Sequence, residues 1–378
     1  MSMIYDVAVV GLGGMGSAAA ATCARRGLRT VGIEQFSPAH ALGSSHGRTR
    51  LIRQAYYENP AYVPMLRRAY DLWRALEAET GEELLRITGL LLAGRNDSPV
   101  IVGSAASARA HGIAIEELDA RGIAQRFPMM RPLPDEVGVY EASGGVVFPE
   151  KTVDLMLRLA EKAGADLHFG RALKRIAFDD SVITIELDNG ADVHAQKLVL
   201  AMGAWFQAMP DLFTVRLRIQ RNVQAWFTPA SDAFDVRTCP AFLIDRPGLP
   251  VPLYGMPNLG DGVKAAFHGL GPTTSAESLD REIHKSDVAP IQAALNMWMP
   301  GAGFAFREAS ACMYSLTPDE QFVIGLRPGD ARVVLAGGFS GHGFKFVPVV
   351  GEIVADLVEN GTTSFDIGFL SPNRFVSS

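Results

Sequence analysis

The chain has 378 residues, enough for two domains, and its 48% hydrophobic and 20% charged composition is that of a globular protein with an ample core. A net charge of −6 excludes a general nucleic-acid binder, which needs clustered Lys and Arg to displace counterions. Three cysteines, an odd number, exclude a disulfide framework and suit a reducing compartment.

Residues 4–10 (IYDVAVV) are a short apolar run with strand character, and Gly11-Leu-Gly-Gly-Met-Gly16 follows at once. Residues 17–26 (SAAAATCARR) read as a small-residue helix stopped by Gly27, and 30–33 as a second strand ending at Glu34. Together they predict a βαβ unit. Gly11, Gly13 and Gly16 fit G-x-G-x-x-G in the setting that pattern requires, a strand before and a helix after. The first glycine allows the tight turn, the second lets a pyrophosphate approach the helix N-terminus, and the third permits close helix–strand packing. Glu34 lies 18 residues beyond Gly16, where a carboxylate accepts hydrogen bonds from ribose hydroxyls. An acid there disfavours the 2′-phosphate of NADP. The pattern alone does not separate NAD from FAD.

A Pro/Gly/Ser loop covers 37–45, and 62–80 has helical periodicity. Residues 82–147 break into short strands and helices. An amphipathic helix is expected over 151–163, and 166–169, 181–187 and 197–202 read as strands returning to the first domain. Alternation over 221–306 predicts an antiparallel sheet, 333–336 a buried strand entering a glycine-rich turn, and 348–357 a helix. Gly43-Ser44-Ser45-His46-Gly47 fits G-x-S-x-G, but a loop precedes it where a nucleophile elbow needs a strand. No zinc or P-loop motif occurs, so no metal is expected. The apolar N-terminus lacks a basic leader, no run is long enough to span a membrane, and the ending is not of the SKL type. The expectation is a cytoplasmic protein with no nucleic-acid or membrane partner.

Three further segments carry a family resemblance. They are Gly43-Ser-Ser-His-Gly-Arg-Thr49-Arg50-Leu-Ile-Arg53, then Ala311-Cys312-Met313-Tyr314 with Thr317-Pro-Asp-Glu-Gln-Phe322, then Gly338-Phe-Ser-Gly-His-Gly-Phe-Lys345. Together they resemble the monomeric sarcosine oxidase and N-methyltryptophan oxidase family, within the wider flavin-dependent amine and D-amino-acid oxidases, over about residues 4–375. The resemblance implies a mixed α/β fold, with a Rossmann-like FAD domain and a substrate domain built on an antiparallel sheet. The expected division is 1–82, 148–220 and 312–378 for FAD, and 83–147 and 221–311 for substrate. It implies a monomer that oxidises a secondary or tertiary amino acid at a C–N bond. Hydride passes to FAD, the imine is hydrolysed, and O2 reoxidises the flavin to give H2O2. A dehydrogenase passing electrons to a carrier, and a non-catalytic flavin-binding homologue, are the alternatives.

By the same resemblance, Cys312 carries FAD covalently through its 8α-methyl group, with His46 and Arg50 supplying positive charge beside the thiolate. Arg53 and Lys345 match the pair that binds the substrate carboxylate, a planar fork and a point charge. Lys264 matches the lysine that promotes oxygen reduction, since a nearby cation stabilises superoxide. Tyr254, His268 and Tyr314 match residues that shape the substrate pocket, and with Arg50 and Lys264 they make up the expected catalytic set. Thr49 belongs with the flavin site, and the Gly341-His342-Gly343 turn lets backbone amides approach flavin and substrate. Further cofactor contacts are expected at Met15, Gln35 and Ser44; at Leu173, Met202, Gly203 and Trp205; and at Met313, Gly338 and Phe344. Cys23 is expected to be packing, and Cys239 has no evident role.

Two departures stand in the 43–50 loop. Ser45 replaces the first of two histidines, and Arg48 replaces an Asp, adding charge near the flavin. The segment 249–253 carries two prolines and is expected to border the substrate pocket.

Overall fold

The computed structural model describes residues 3–375. The N-terminal apolar run forms the strand Ile4–Val10, whose last four residues are buried. It lies between two parallel neighbours, Thr30–Glu34 and Asp192–Leu200. Outward from these, Asp166–Phe169 and Asp330–Gly337 extend the parallel set. Strands covered on both faces need continuous apolar runs, and Val7–Val10 and Val333–Ala336 provide them. Antiparallel strands Leu173–Phe178, Ile183–Leu187 and Val323–Arg327 complete an eight-stranded sheet.

The helix Gly14–Arg25 starts three residues earlier than its small-residue run predicts. Its alanines let it lie close against the helices Pro149–Lys162 and Val347–Asn360; a Cβ on Gly351 would stand 2.8 Å from the Ala18 carbonyl oxygen. Pro149–Lys162 opens on proline, with Glu150 in its first turn and Lys162 in its last, as the helix dipole favours.

Gly16 explains the tight start of the first helix. A Cβ there would stand 1.7 Å from the carbonyl oxygen of Gly11, a contact between backbone and side-chain base that no rotamer relieves. Gly16→Ala is therefore expected to destabilise the fold by at least about 3 kcal/mol and to abolish dinucleotide retention, checked by thermal melting and by bound chromophore after gel filtration.

The second sheet has nine strands. Arg218–Thr228 is its long central element, paired antiparallel with Val263–Phe267 and with Ala305–Leu316. Ala241–Asp245 and Leu253–Met256 continue the antiparallel order. The expectation of an antiparallel sheet needs one amendment, because Ala241–Asp245 pairs parallel to Leu90–Arg95. A helix, Lys285–Trp298, also stands where alternation predicted sheet. Pro290 inside it hides the helical period, but His284 and Asp287 close a capping box at its start and Trp298 buries its end. A small three-stranded sheet, Arg50–Ile52 with Leu85–Ile87 and Gly145–Val147, completes the strand set. Cys23 and Cys239 are both buried in apolar clusters, with burial raising each thiol to about 12. Among the described residues no helix is long and apolar enough to cross a membrane.

Candidate active site

The carboxyl ends of the parallel strands open into a cavity of about 440 Å³, as expected of ligand sites in open parallel sheets. Its walls come from the loops after residues 10, 34, 200 and 337, and from the facing side chains Leu243, Tyr254, His268, Cys312 and Tyr314 of the second sheet.

One end has the chemistry of a dinucleotide cradle. Gly11, Gly13 and Met15 line it with Glu34 and Gln35, and Gly13 caps the helix without any side chain in the way. Glu34 Oε2 accepts from the Leu12 amide at 2.8 Å, and Oε1 accepts from Phe36 at 3.0 Å. Burial works to raise the Glu34 pKa, but His40 and these amides outweigh it and hold the carboxyl below its ordinary range. Leu173, Met202, Gly203 and Trp205 close this end. The Phe36 ring sits edge-on between His40 and Trp205, with ring centroids 4.7 and 5.2 Å away. Gly16 lies beneath the turn rather than on the wall.

In the middle stands Cys312. It lies inside the strand Ala305–Leu316 and is buried. Burial would raise its pKa; His46 beside it, then the charges of Arg50 and Lys264, reverse that and bring the thiol to about 7. Arg50 Nη2 points at Sγ from 3.7 Å while donating to the Ser44 carbonyl at 3.0 Å. Ser44 Oγ in turn donates to the Met313 carbonyl at 2.7 Å. The buried His46 Nε2 and Ser315 Oγ have no hydrogen-bond partner in the protein. Buried polar atoms rarely stay unpaired. The glycine cradle, the Glu34 carboxylate and the orphaned Ser315 Oγ on the cavity wall are chemically suited to hold a flavin dinucleotide.

The third region gathers Arg53, Lys345, Tyr254, His268 and Tyr314 with Gly338, Gly341, His342, Gly343 and Phe344. A Cβ on Gly341, which has φ +80, would stand 2.3 Å from the Tyr314 ring, so only glycine lets that backbone face the cavity. Tyr314 hydroxyl and His268 Nδ1 are 3.3 Å apart. Burial pulls His268 down to about 4, His342 to about 3 and Lys345 to about 7. Both histidines are therefore neutral near neutral pH. Lys345 Nζ donates to the His342 carbonyl at 2.7 Å.

Sequence reasoning missed Glu58. Its two oxygens each accept from Arg53 Nη2 at 2.7 Å, while Arg53 Nε and Nη1 stay buried without partners. Arg53 is sandwiched over the rings of Tyr56 and Tyr57, at 4.4 and 4.7 Å. The pair lies in a loop, where no periodicity links residues five apart. Ser45 was noted only as a departure, yet its Oγ accepts from the Gly14 amide at 3.0 Å and ties two loops together.

Four expected site residues do not reach the cavity wall: Gly16, His46, Thr49 and Lys264. Lys264 is buried at 1% exposure behind the 47–49 loop, donating to the Gly47 and Thr49 carbonyls at 2.6 and 2.8 Å. Its strand position alternates with apolar neighbours, but both faces of that strand are covered. The idea that Arg48 adds charge near the flavin is corrected: its guanidinium turns outward to Asp261 and Glu308. The segment 249–253 does not border the cavity either, since Leu249 and Val251 pack on the core of the second sheet and only Tyr254 beyond it reaches the wall. Among the described residues no cluster could hold a metal ion.

A family model described as FAD dependent oxidoreductase matches residues 6–357. The chain is 42% identical to monomeric sarcosine oxidase of Streptomyces avermitilis over 386 residues, covering 100% of both chains. It is 35% identical to N-methyl-L-tryptophan oxidase of Salmonella heidelberg over 376 residues, covering 99% of this chain and 100% of that one. Among solved structures, NikD, an unusual amino acid oxidase essential for nikkomycin biosynthesis, superposes with a TM-score of 0.85 at 26% identity, covering 98% of each chain. The L-proline dehydrogenase of P. horikoshii shares the fold, with a TM-score of 0.87 at 20% identity over 100% of this chain and 99% of that one.

Proposed function

Because the chain belongs to the FAD-dependent oxidoreductase family, we propose that it is an oxidase of N-methyl or other secondary and tertiary amino acids, with FAD held covalently at Cys312. The observation that carries this reading is one cavity that brings together a thiol drawn down to about 7 by its charged neighbours and two basic side chains, Arg53 and Lys345.

Bound flavin supplies the two-electron acceptor. The chain does the rest. Glu34 and the glycine turn hold the dinucleotide, with the Glu34 carboxylate ionised and already fixed by two backbone amides. Arg50 and His46 keep the Cys312 sulfur in its nucleophilic form. Arg53 and Lys345 take the substrate carboxylate and so set which C–H faces the acceptor. The neutral His268 and the Tyr254 and Tyr314 rings surround the amine without adding a positive charge, which favours its neutral, oxidisable form. Lys264 acts from behind the 47–49 loop: burial and the charge of Arg50 hold its pKa well below the ordinary lysine range, and in its protonated form it stabilises reduced oxygen.

A peroxide-coupled screen of N-methyl, N-alkyl and cyclic amino acids tests the oxidase reading. H2O2 release matching substrate loss is expected for at least one class. Turnover only with an added electron carrier would make the protein a dehydrogenase instead.

A further inference from the structure

Behind the two clamp cations lies a hydrogen-bonded chain that the proposed mechanism does not use. His342 Nε2 sits 3.1 Å from the Glu320 carbonyl, which can only accept. Nε2 therefore carries the imidazole proton, and in the neutral ring Nδ1 is an acceptor. The Tyr56 hydroxyl lies 2.6 Å from that Nδ1, so Tyr56 donates its proton there. Its lone pairs are left for Lys345 Nζ at 3.5 Å. The same tyrosine ring lies under the Arg53 guanidinium at 4.4 Å and beside Lys345 Nζ at 5.1 Å. One buried side chain thus touches both cations: its ring lies against Arg53 and Lys345, and its hydroxyl meets Lys345 with the proton turned away, toward His342.

We propose that Tyr56 is the positioning residue of the carboxylate clamp: it sets the gap between Arg53 and Lys345, occupies a second N–H of Lys345, and leaves one N–H for an incoming carboxylate. The inference rests on reading Arg53 and Lys345 as that clamp. Glu58 contributes the other constraint by holding Arg53 Nη2 and leaving Nε and Nη1 uncommitted. With both cations held, neither needs to search rotamers when the ligand arrives, and the ordering cost of binding falls.

The test is binding of acetate, a non-oxidisable carboxylate, to the oxidised holoenzyme, followed by the change in flavin absorbance. Tyr56→Phe keeps the ring and removes the hydroxyl; its acetate Kd and substrate KM are expected to rise about tenfold with kcat at saturation within about twofold, and Tyr56→Leu to lose more. Acetate affinity unchanged in Tyr56→Phe but lost in Lys345→Met overturns the role of Tyr56 and leaves the clamp standing. Affinity unchanged in both variants overturns the clamp, and this inference with it. A second measurement needs no variant: the 15N shifts of His342 in the wild-type holoenzyme are expected to show a proton on Nε2. A proton on Nδ1 would reverse the hydrogen bond to Tyr56 and sink the proposal.

Discussion

With Lys345 replaced by Met, the KM for the amino acid substrate is expected to rise about a hundredfold while flavin content stays unchanged. Met fills the volume of the lysine stem between Phe344 and Phe346 but offers no donor. The ammonium makes one strong internal hydrogen bond, to the His342 carbonyl, and a long one to Tyr56, so its charge is only partly compensated. A carboxylate placed against it gains a charge-assisted bond in a desolvated site, and two orders of magnitude correspond to about 2.7 kcal/mol, within the range for such a contact. Stability should move the other way. Burial lowers the folded pKa of Lys345 to about 7, below its unfolded value, so the folded state disfavours the charged form at every pH under the unfolded pKa. The penalty grows as pH falls and levels off below about 7. Lys345→Met is expected to melt no lower than wild type at pH 6, which separates a lost ligand contact from a damaged fold. Steady-state kinetics and thermal melting on one preparation check both halves.

Cys312→Ala is expected to remove all acid-stable flavin. Wild-type protein precipitated with acid should give a yellow pellet and a colourless supernatant; the variant should give the reverse, or no flavin at all. The substitution removes a small buried side chain from a strand held along most of its length by Arg218–Thr228, so the cost to folding is about 1 kcal/mol or less and the fold persists. The wild-type reaction should also carry a pH signature. Burial would raise the Cys312 pKa, but His46, Arg50 and Lys264 lower it to about 7. The thiolate fraction therefore increases through pH 7, and covalent incorporation of FAD into apoprotein should accelerate from pH 6 to 8 and then level off. A rate still climbing steeply above pH 9 would mean an unactivated thiol.

The strand–glycine turn–helix end of the cavity was legible almost completely in the sequence, because backbone geometry there is dictated by local chemistry. Gly11, Gly13 and Gly16 sit between a strand and a helix, and Glu34 ends the next strand. No distant residue is needed to make that unit. The opposite end was legible only through the resemblance, since Arg53, Cys312 and Lys345 come from three separated segments that only the fold brings together. What stayed hidden had no periodic or spacing signal. Glu58 pairs with Arg53 inside an irregular loop, and Tyr56 reaches His342 and Lys345 across 286 and 289 residues. Lys264 has the pattern of an exposed strand residue, and its burial depends on the 47–49 loop folding over it. The helix Lys285–Trp298 was masked by its internal proline, which removes one hydrogen bond without ending the helix. Arg48 was misplaced because charge was counted from sequence proximity, whereas its side chain leaves the cavity for Asp261 and Glu308.

On the proposed reading, this cavity passes electrons from an N-substituted amino acid to FAD. The most direct measurement is to mix oxygen-free holoenzyme with N-methyl and cyclic amino acids in turn and follow the visible absorbance of the flavin. The expected result is rapid bleaching by at least one of them, with colour restored on admitting air and one H2O2 formed per flavin. Absorbance unchanged by every member of the panel, in protein that retains its flavin, would contradict the assignment.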